Sequence, residues 1–186
     1  MDQDFLELLK ILNNHIMRIQ KNVPVLRVLI SGEYKSNKKD EQIENAYRCG
    51  YVRFPEYLDY QDEIRKDYDL LRNSYYKKVE AIINDLSKDY IVEIVVGTNF
   101  KDHTGGDVEG IAEDCAIKNN LGRQFVFIPR YSPLSSNEED SYFLQRSQNL
   151  VECAEQIFIL GNFESKRTKY IISVATKSNK PIKMIE

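Results

Sequence analysis

Several short stretches of this 186-residue chain gather glycine, small hydroxyl residues and charge in the way that anion-binding loops do. The first is Ser31-Gly32-Glu33-Tyr34. The second is Gly97-Thr98-Asn99, followed by His103-Thr104-Gly105-Gly106-Asp107. The third is Pro129-Arg130. The fourth is Gly161-Asn162-Phe163, followed by Ser165-Lys166-Arg167-Thr168. Two of them have a physical reason to take phosphate. A helix N-terminus carries unpaired backbone N–H groups and about half a positive charge. Glycines let an anion approach those groups closely. Gly105-Gly106 precede a helix that Asp107 opens, and Ser165 to Thr168 open another, with Lys166 and Arg167 beside it. Either loop alone could be mere turn chemistry. Two on one side of a fold point to a nucleotide or a nucleotide-like ligand.

Other chemistries are poorly served. The chain has no GxxxxGK[ST], no GxGxxG after its first strand, no GxSxG and no HExxH, which disfavours a P-loop ATPase, an ordinary NAD-dependent dehydrogenase, a serine hydrolase of the elbow type and a zincin. A serine relay would need His15 or His103, and His103 reads as a solvent-exposed loop residue. Cys49, Cys115 and Cys153 are odd in number and far apart, so reduced thiols are expected and a structural zinc site is not. No metal or other cofactor is expected.

The elements that would position these loops follow from periodicity. Val25 to Ile30 is an apolar, β-branched run, hence a buried strand. Further strands are predicted over Ile91–Val96, Gln124–Ile128, Gln156–Leu160 and Pro181–Ile185. Helices are predicted over residues 62–88, with a stripe of Ile64, Tyr68, Leu71, Tyr75, Val79, Ile82 and Leu86. They are also predicted over Asp107–Lys118, closed by Asn119, Asn120 and Gly122, over Glu138–Ala154 with a Ser136/Glu139 capping box, and over Lys166–Lys177 with Ser165 as N-cap. The basic residues Arg65, Lys66, Arg72, Lys77 and Lys78 read as a solvated face. Alternating strands and helices imply right-handed crossovers. The fold class is therefore α/β, a doubly wound, mainly parallel five-stranded sheet with helices on both faces. Ligands bind such sheets beyond the carboxyl ends of the strands, where all four loops fall.

Residues 23–186 are read as one domain, with 33–61 as a polar lid or insertion holding at most a short helix of its own. Residues 1–22 form an amphipathic helix lined by Phe5, Leu9, Leu12, Ile16 and Ile19, either packed on its own domain or serving as a dimerisation arm. Apolar residues make up 42% and charged ones 30%, a globular balance. A net charge of −3 disfavours general nucleic-acid binding. No run approaches the length of a membrane span. Acids in the opening residues disfavour an export signal. A cytoplasmic protein with no membrane partner is expected.

The order of these motifs resembles the SLOG superfamily, which includes LOG-type nucleotide N-glycosidases, DprA/Smf-like proteins and nucleotide-sensing domains of bacterial defence systems. VLISGEY is similar to the family's opening strand and turn. GGDVEGIAEDCA is similar to its Gly-rich loop and helix, with Gly110 where the family sets a small residue against the sheet, and FVFIPR is similar to the next strand. RSQNLVECAEQIFILGNFESKRTKYIISVATKSNKPIKMI is similar to the family's run of Arg, helix, strand, turn with Thr, helix and final strand, with Arg146, Ala154, Gly161 and Thr168 as matched positions. The resemblance implies a homodimer and a phosphate-holding role for Arg146. LOG-type enzymes follow their Gly-rich turn with a catalytic glutamate. Here Thr168 is followed by Lys169, Tyr170 and Ile171, so that acid is missing, and Glu33, Asp107, Glu109 or Glu164 would have to replace it.

The ligand-binding set expected is thus Ser31, Gly32, Glu33, Gly97, Thr98, Gly105, Gly106, Asp107, Arg146, Gly161, Asn162, Ser165, Lys166 and Thr168. The ends of the first, second and fourth strands are expected to meet at one electropositive cleft. The leading expectation is a sensor or sequestering domain for a nucleotide or a derivative such as one of ADP-ribose. The alternatives are an N-glycosidic-bond hydrolase or sugar transferase, and a protein-interaction module.

Overall fold

A computed structural model describes residues 22–33, 54–98, 107–127 and 136–186. The expected N-terminal helix, the segment 34–53, and the loops holding His103, Gly105, Gly106 and Arg130 lie outside those residues. The strands are β1 (Val25–Glu33), β2 (Ile91–Thr98), β3 (Gly122–Phe127), β4 (Gln156–Gly161) and β5 (Ile182–Ile185). They form one sheet in the order β3-β2-β1-β4-β5. Every pairing is parallel, with Val25 opposite Ile91, Val28 opposite Gln156, and Glu33 opposite Gly161. The helices are α1 (Phe54–Leu86), α2 (Asp107–Lys118), α3 (Ser136–Cys153) and α4 (Lys166–Lys177).

Alternation along the strands feeds two separate apolar layers. Val28 and Ile30 of β1 point to one face, where Tyr75, Val79 and Ile83 of α1 and Val108, Ile111 and Cys115 of α2 cover them. Leu29, between them, points to the other face, under Leu150 and Val151 of α3 and Ile171 and Val174 of α4. A sheet buried on both faces needs continuous apolar strands, as LeuArgValLeuIle and IleValGluIleValVal nearly are. The fold is the doubly wound, Rossmann-like α/β class, and it is parallel throughout.

Several boundaries differ from the sequence reading. α1 starts at Phe54, eight residues earlier than 62 and inside what was expected to be loop. Pro55 sits in the first turn, where a proline removes an N–H that has no helical partner anyway. The core stripe of α1 runs through Tyr75, Val79 and Ile83, while Ile82 is only half-buried. The basic face of α1 is only partly free of contacts: Arg72 pairs with Asp114 of α2, and Lys78 Nζ donates to the Glu186 carbonyl at 2.6 Å. α3 starts at Ser136, two residues before the expected Glu138. Asn120, at φ 50°, closes α2, and Leu121 N–H donates back to the Ala116 carbonyl at 2.9 Å. Gly122, expected to help close that helix, instead begins β3. Gly110 does not pack against the described strands, because a Cβ there would meet nothing within 4 Å among the described residues.

Candidate functional site

From β1 the chain winds outward through β2 to β3, then crosses back to place β4 on the other side of β1. The order reverses between β1 and β4, so their carboxyl ends flank the crevice that such sheets offer to ligands. Two glycines let these ends close up. Gly32 has φ 144°, and a Cβ there would lie 1.9 Å from the Leu160 carbonyl oxygen. Gly161 has φ 87°, and a Cβ there would lie 2.2 Å from the Glu33 carbonyl oxygen. Past Gly161, the Asn162 N–H donates to that same Glu33 oxygen at 2.7 Å.

A shallow recess lies at this junction. Ser31, Gly32 and Glu33 of β1 form one wall. Glu109 of α2 with Arg146 and Ser147 of α3 form another, and Arg167, Thr168 and Ile171 of α4 complete it. Glu109 organises its floor. The residue is 3% exposed, and Ser31 Oγ donates to its Oε1 at 2.6 Å. Arg146 Nη1 donates to the same oxygen at 3.2 Å, and Nη2 donates to Oε2 in a short contact, so the pair is bidentate. Burial pulls the Arg146 guanidinium's pKa down, but the charge and hydrogen bonds of Glu109 outweigh it and hold the pKa above its ordinary value. Gly97 makes room for this guanidinium: a Cβ there would lie 3.0 Å from Arg146 Nη2 and 3.1 Å from Leu150 Cδ2.

The α4 side is set by its cap. Ser165 adopts extended backbone and its Oγ accepts from the Thr168 N–H at 3.2 Å. The same hydroxyl donates to Thr168 Oγ1 at 2.8 Å, which fixes a side chain that is 1% exposed. Arg167, one residue earlier, places Nε 3.8 Å from Glu33 Oε1 across the mouth of the recess.

Of the residues expected from sequence, Ser31, Gly32, Glu33, Arg146 and Thr168 line the recess. Gly97, Gly161, Asn162 and Ser165 shape it without lining it; Asn162 Oδ1 accepts from the Glu164 N–H at 3.1 Å. Lys166 is exposed at the first position of α4, outside the lining. Thr98 ends β2 and Asp107 starts α2, and their side chains lie outside the described residues, as Gly105 and Gly106 do entirely. Glu164 pairs with Lys169 at 2.6 Å on the surface.

Arg146 pairs with Glu109, one of the four acids named as replacements for the missing glutamate, supplied by α2 and not by the turn after β4. Among the described lining residues the charges offset, Arg146 and Arg167 against Glu109 and Glu33, while the loops at 99–106 and 128–135 lie outside the described residues. Ser147, Arg167 and Ile171 line the recess and stood outside the expected ligand-binding set, and Glu109, named above only as a replacement for the missing acid, forms its floor. The signal for Glu109 was its place three and seven residues before Ala112 and Ala116, on the stripe that α2 buries. Arg146 likewise lies four residues from both Tyr142 and Leu150 on the buried stripe of α3.

Among the described residues no group of three or more His, Cys, Asp and Glu side chains gathers to hold a metal. Cys115 and Cys153 are free thiols, the first fully buried. Among the described residues no helix is long and apolar enough to cross a membrane. Comparison with protein-family models, with curated proteins and with solved structures returns no match for this chain.

Proposed function

We propose that the chain binds a nucleotide or a nucleotide-derived ligand, such as an ADP-ribose derivative, in the recess between β1 and β4, and acts as a sensor or sequestering domain. The observation that carries this reading is Arg146. It is a charged side chain held almost out of solvent at the floor of the switch-point recess, clamped in one orientation by Glu109. A guanidinium has five N–H donors. Glu109 engages two of its nitrogens, and a phosphate can use what remains of the planar fork. The dipole of α4 adds positive potential at the same place. The formal charges of the described lining residues cancel, so what attracts an anion among them is their oriented donors. The resemblance to the SLOG superfamily supports the same reading.

Binding is favoured over catalysis by the state of Glu109. Its carboxylate already accepts from Ser31 and twice from Arg146, so it positions the guanidinium and has little capacity left to activate water. The second reading, an N-glycosidic-bond hydrolase, is favoured by one observation only. Glu33 lines the same recess, and its partner Arg167 stands beyond hydrogen-bond distance. A carboxylate so placed can stabilise an oxocarbenium-like transition state. A thermal-shift panel of nucleoside mono- and diphosphates, cyclic nucleotides and ADP-ribose tests the first reading, which requires that at least one raises Tm. Chromatography of the same mixtures after long incubation tests the second. Free base that disappears in Glu33→Gln would favour the enzyme, and its absence at high protein concentration would remove it.

A further inference from the structure

The mouth of the recess carries a hydrogen-bonding group that phosphate recognition does not explain. Glu33 is the last residue of β1, its side chain is 27% exposed, and it forms part of the wall. Its backbone is fixed by the Asn162 N–H at 2.7 Å and by pairing with Gly161. Its carboxylate faces Arg167 at 3.8 Å, close enough for the charges to offset and too far for a hydrogen bond. An ionised carboxylate is acceptor-only, with about four lone-pair sites. A ligand seated beside it must therefore offer donors. A ligand ammonium is the poorer choice, because Arg167 already neutralises Glu33 and would repel a second cation. Neutral hydroxyls suit it better, and two on adjacent carbons can meet both carboxylate oxygens at once.

We propose that Glu33 recognises the ribose diol of the bound ligand, so that the site selects ribonucleotides over their 2′-deoxy counterparts. This rests on the nucleotide reading above. Acidic residues at a strand end read ribose hydroxyls in other doubly wound sheets, from the second strand. Here β1 itself supplies the acid, because Gly32 lets the chain continue past Leu160 into one more paired residue. The orientation follows, with the phosphate toward Arg146 and the start of α4, and the sugar toward β1.

The test is isothermal titration of the full chain with the best ribonucleotide of the panel and with its 2′-deoxy form. The deoxy form should bind about 10- to 100-fold more weakly, the loss that goes with one hydrogen bond to a charged group. In Glu33→Ala the two affinities should come within about threefold of each other, and Glu33→Gln should give an intermediate ratio. Thermal melts establish that both variants are folded. Equal affinities in the unmodified protein, or an unchanged ratio in Glu33→Ala, would overturn the diol assignment while leaving nucleotide binding standing. If neither form of any nucleotide binds, nucleotide recognition itself fails and the diol assignment goes with it.

Discussion

A carboxylate as deeply buried as that of Glu109 must be compensated, and Ser31 and Arg146 supply the compensation. Such a pair adds little net stability, since both charges lose their water. Breaking it is another matter. Glu109→Ala leaves the Arg146 guanidinium buried without its counter-charge, and urea denaturation should show a loss of about 3–5 kcal/mol. Replacing both partners, as in Glu109→Leu with Arg146→Met, removes the charges together and should recover most of that loss. Failure of the double variant to recover stability would mean that the pair holds the fold as well as the site. The glycines make a second residue-level prediction. Ala at position 32 or 161 would need a positive φ and would press its Cβ into a backbone carbonyl oxygen. Either should cost about 3 kcal/mol or more by the same denaturation assay. Such a loss would place the close approach of β1 and β4 among the structural requirements of the fold.

Among the elements, α4 is the one whose end meets the recess most directly. Ser165 caps it through the Thr168 N–H, so Ser165→Ala should lower stability by about 1 kcal/mol and weaken nucleotide binding, whereas Ser165→Asp should keep the cap. Equal binding by all three proteins would remove the α4 terminus from the site. The limits of this helix were legible in the sequence, where Ser165 stands as its N-cap ahead of Lys166–Lys177. α2 was equally legible in extent, and all five strands were found to within a few residues, because long apolar runs between turn residues have little alternative. α1 was legible only from residue 62 onward. Its apolar period is clear only from Ile64 onward, and Pro55 with the surrounding polar residues hid the start. The site was half legible. Loops at strand ends are anticipated by fold class alone, which is how Ser31, Glu33 and Thr168 were found. The Glu109–Arg146 pair joins residues 37 apart on two helices on opposite faces of the sheet. No local pattern in a single sequence encodes such a meeting. The only trace was a charged residue on each buried stripe.

For the whole molecule, the sheet order decides where function can lie. Placing β4 beside β1 and not beside β3 creates the crevice, and α2, α3 and α4 bring Glu109, Arg146 and Thr168 to it from both faces. Global stability should also carry a pH signature from groups that do not line the recess. Burial pushes the Cys115 thiol and the Tyr75 and Tyr76 phenols above their ordinary values of 9.0 and 10.0. These groups ionise more readily in the unfolded chain, so their contribution is intact below pH 9 and is lost as pH rises beyond the unfolded values. Denaturation midpoints should therefore fall between about pH 9 and pH 11, with Cys115→Ala removing the earliest part of the decline. A midpoint that stays flat or rises over that range would contradict the burial of these groups. The most direct test of the account is isothermal titration of the strongest nucleotide from the panel against the native chain and the Glu109→Leu/Arg146→Met double variant. The account predicts one site per chain in the native protein, and at least about a 10-fold loss of affinity in a variant that still melts cooperatively. Undiminished binding by that folded variant, or no binding by the native protein, would contradict it.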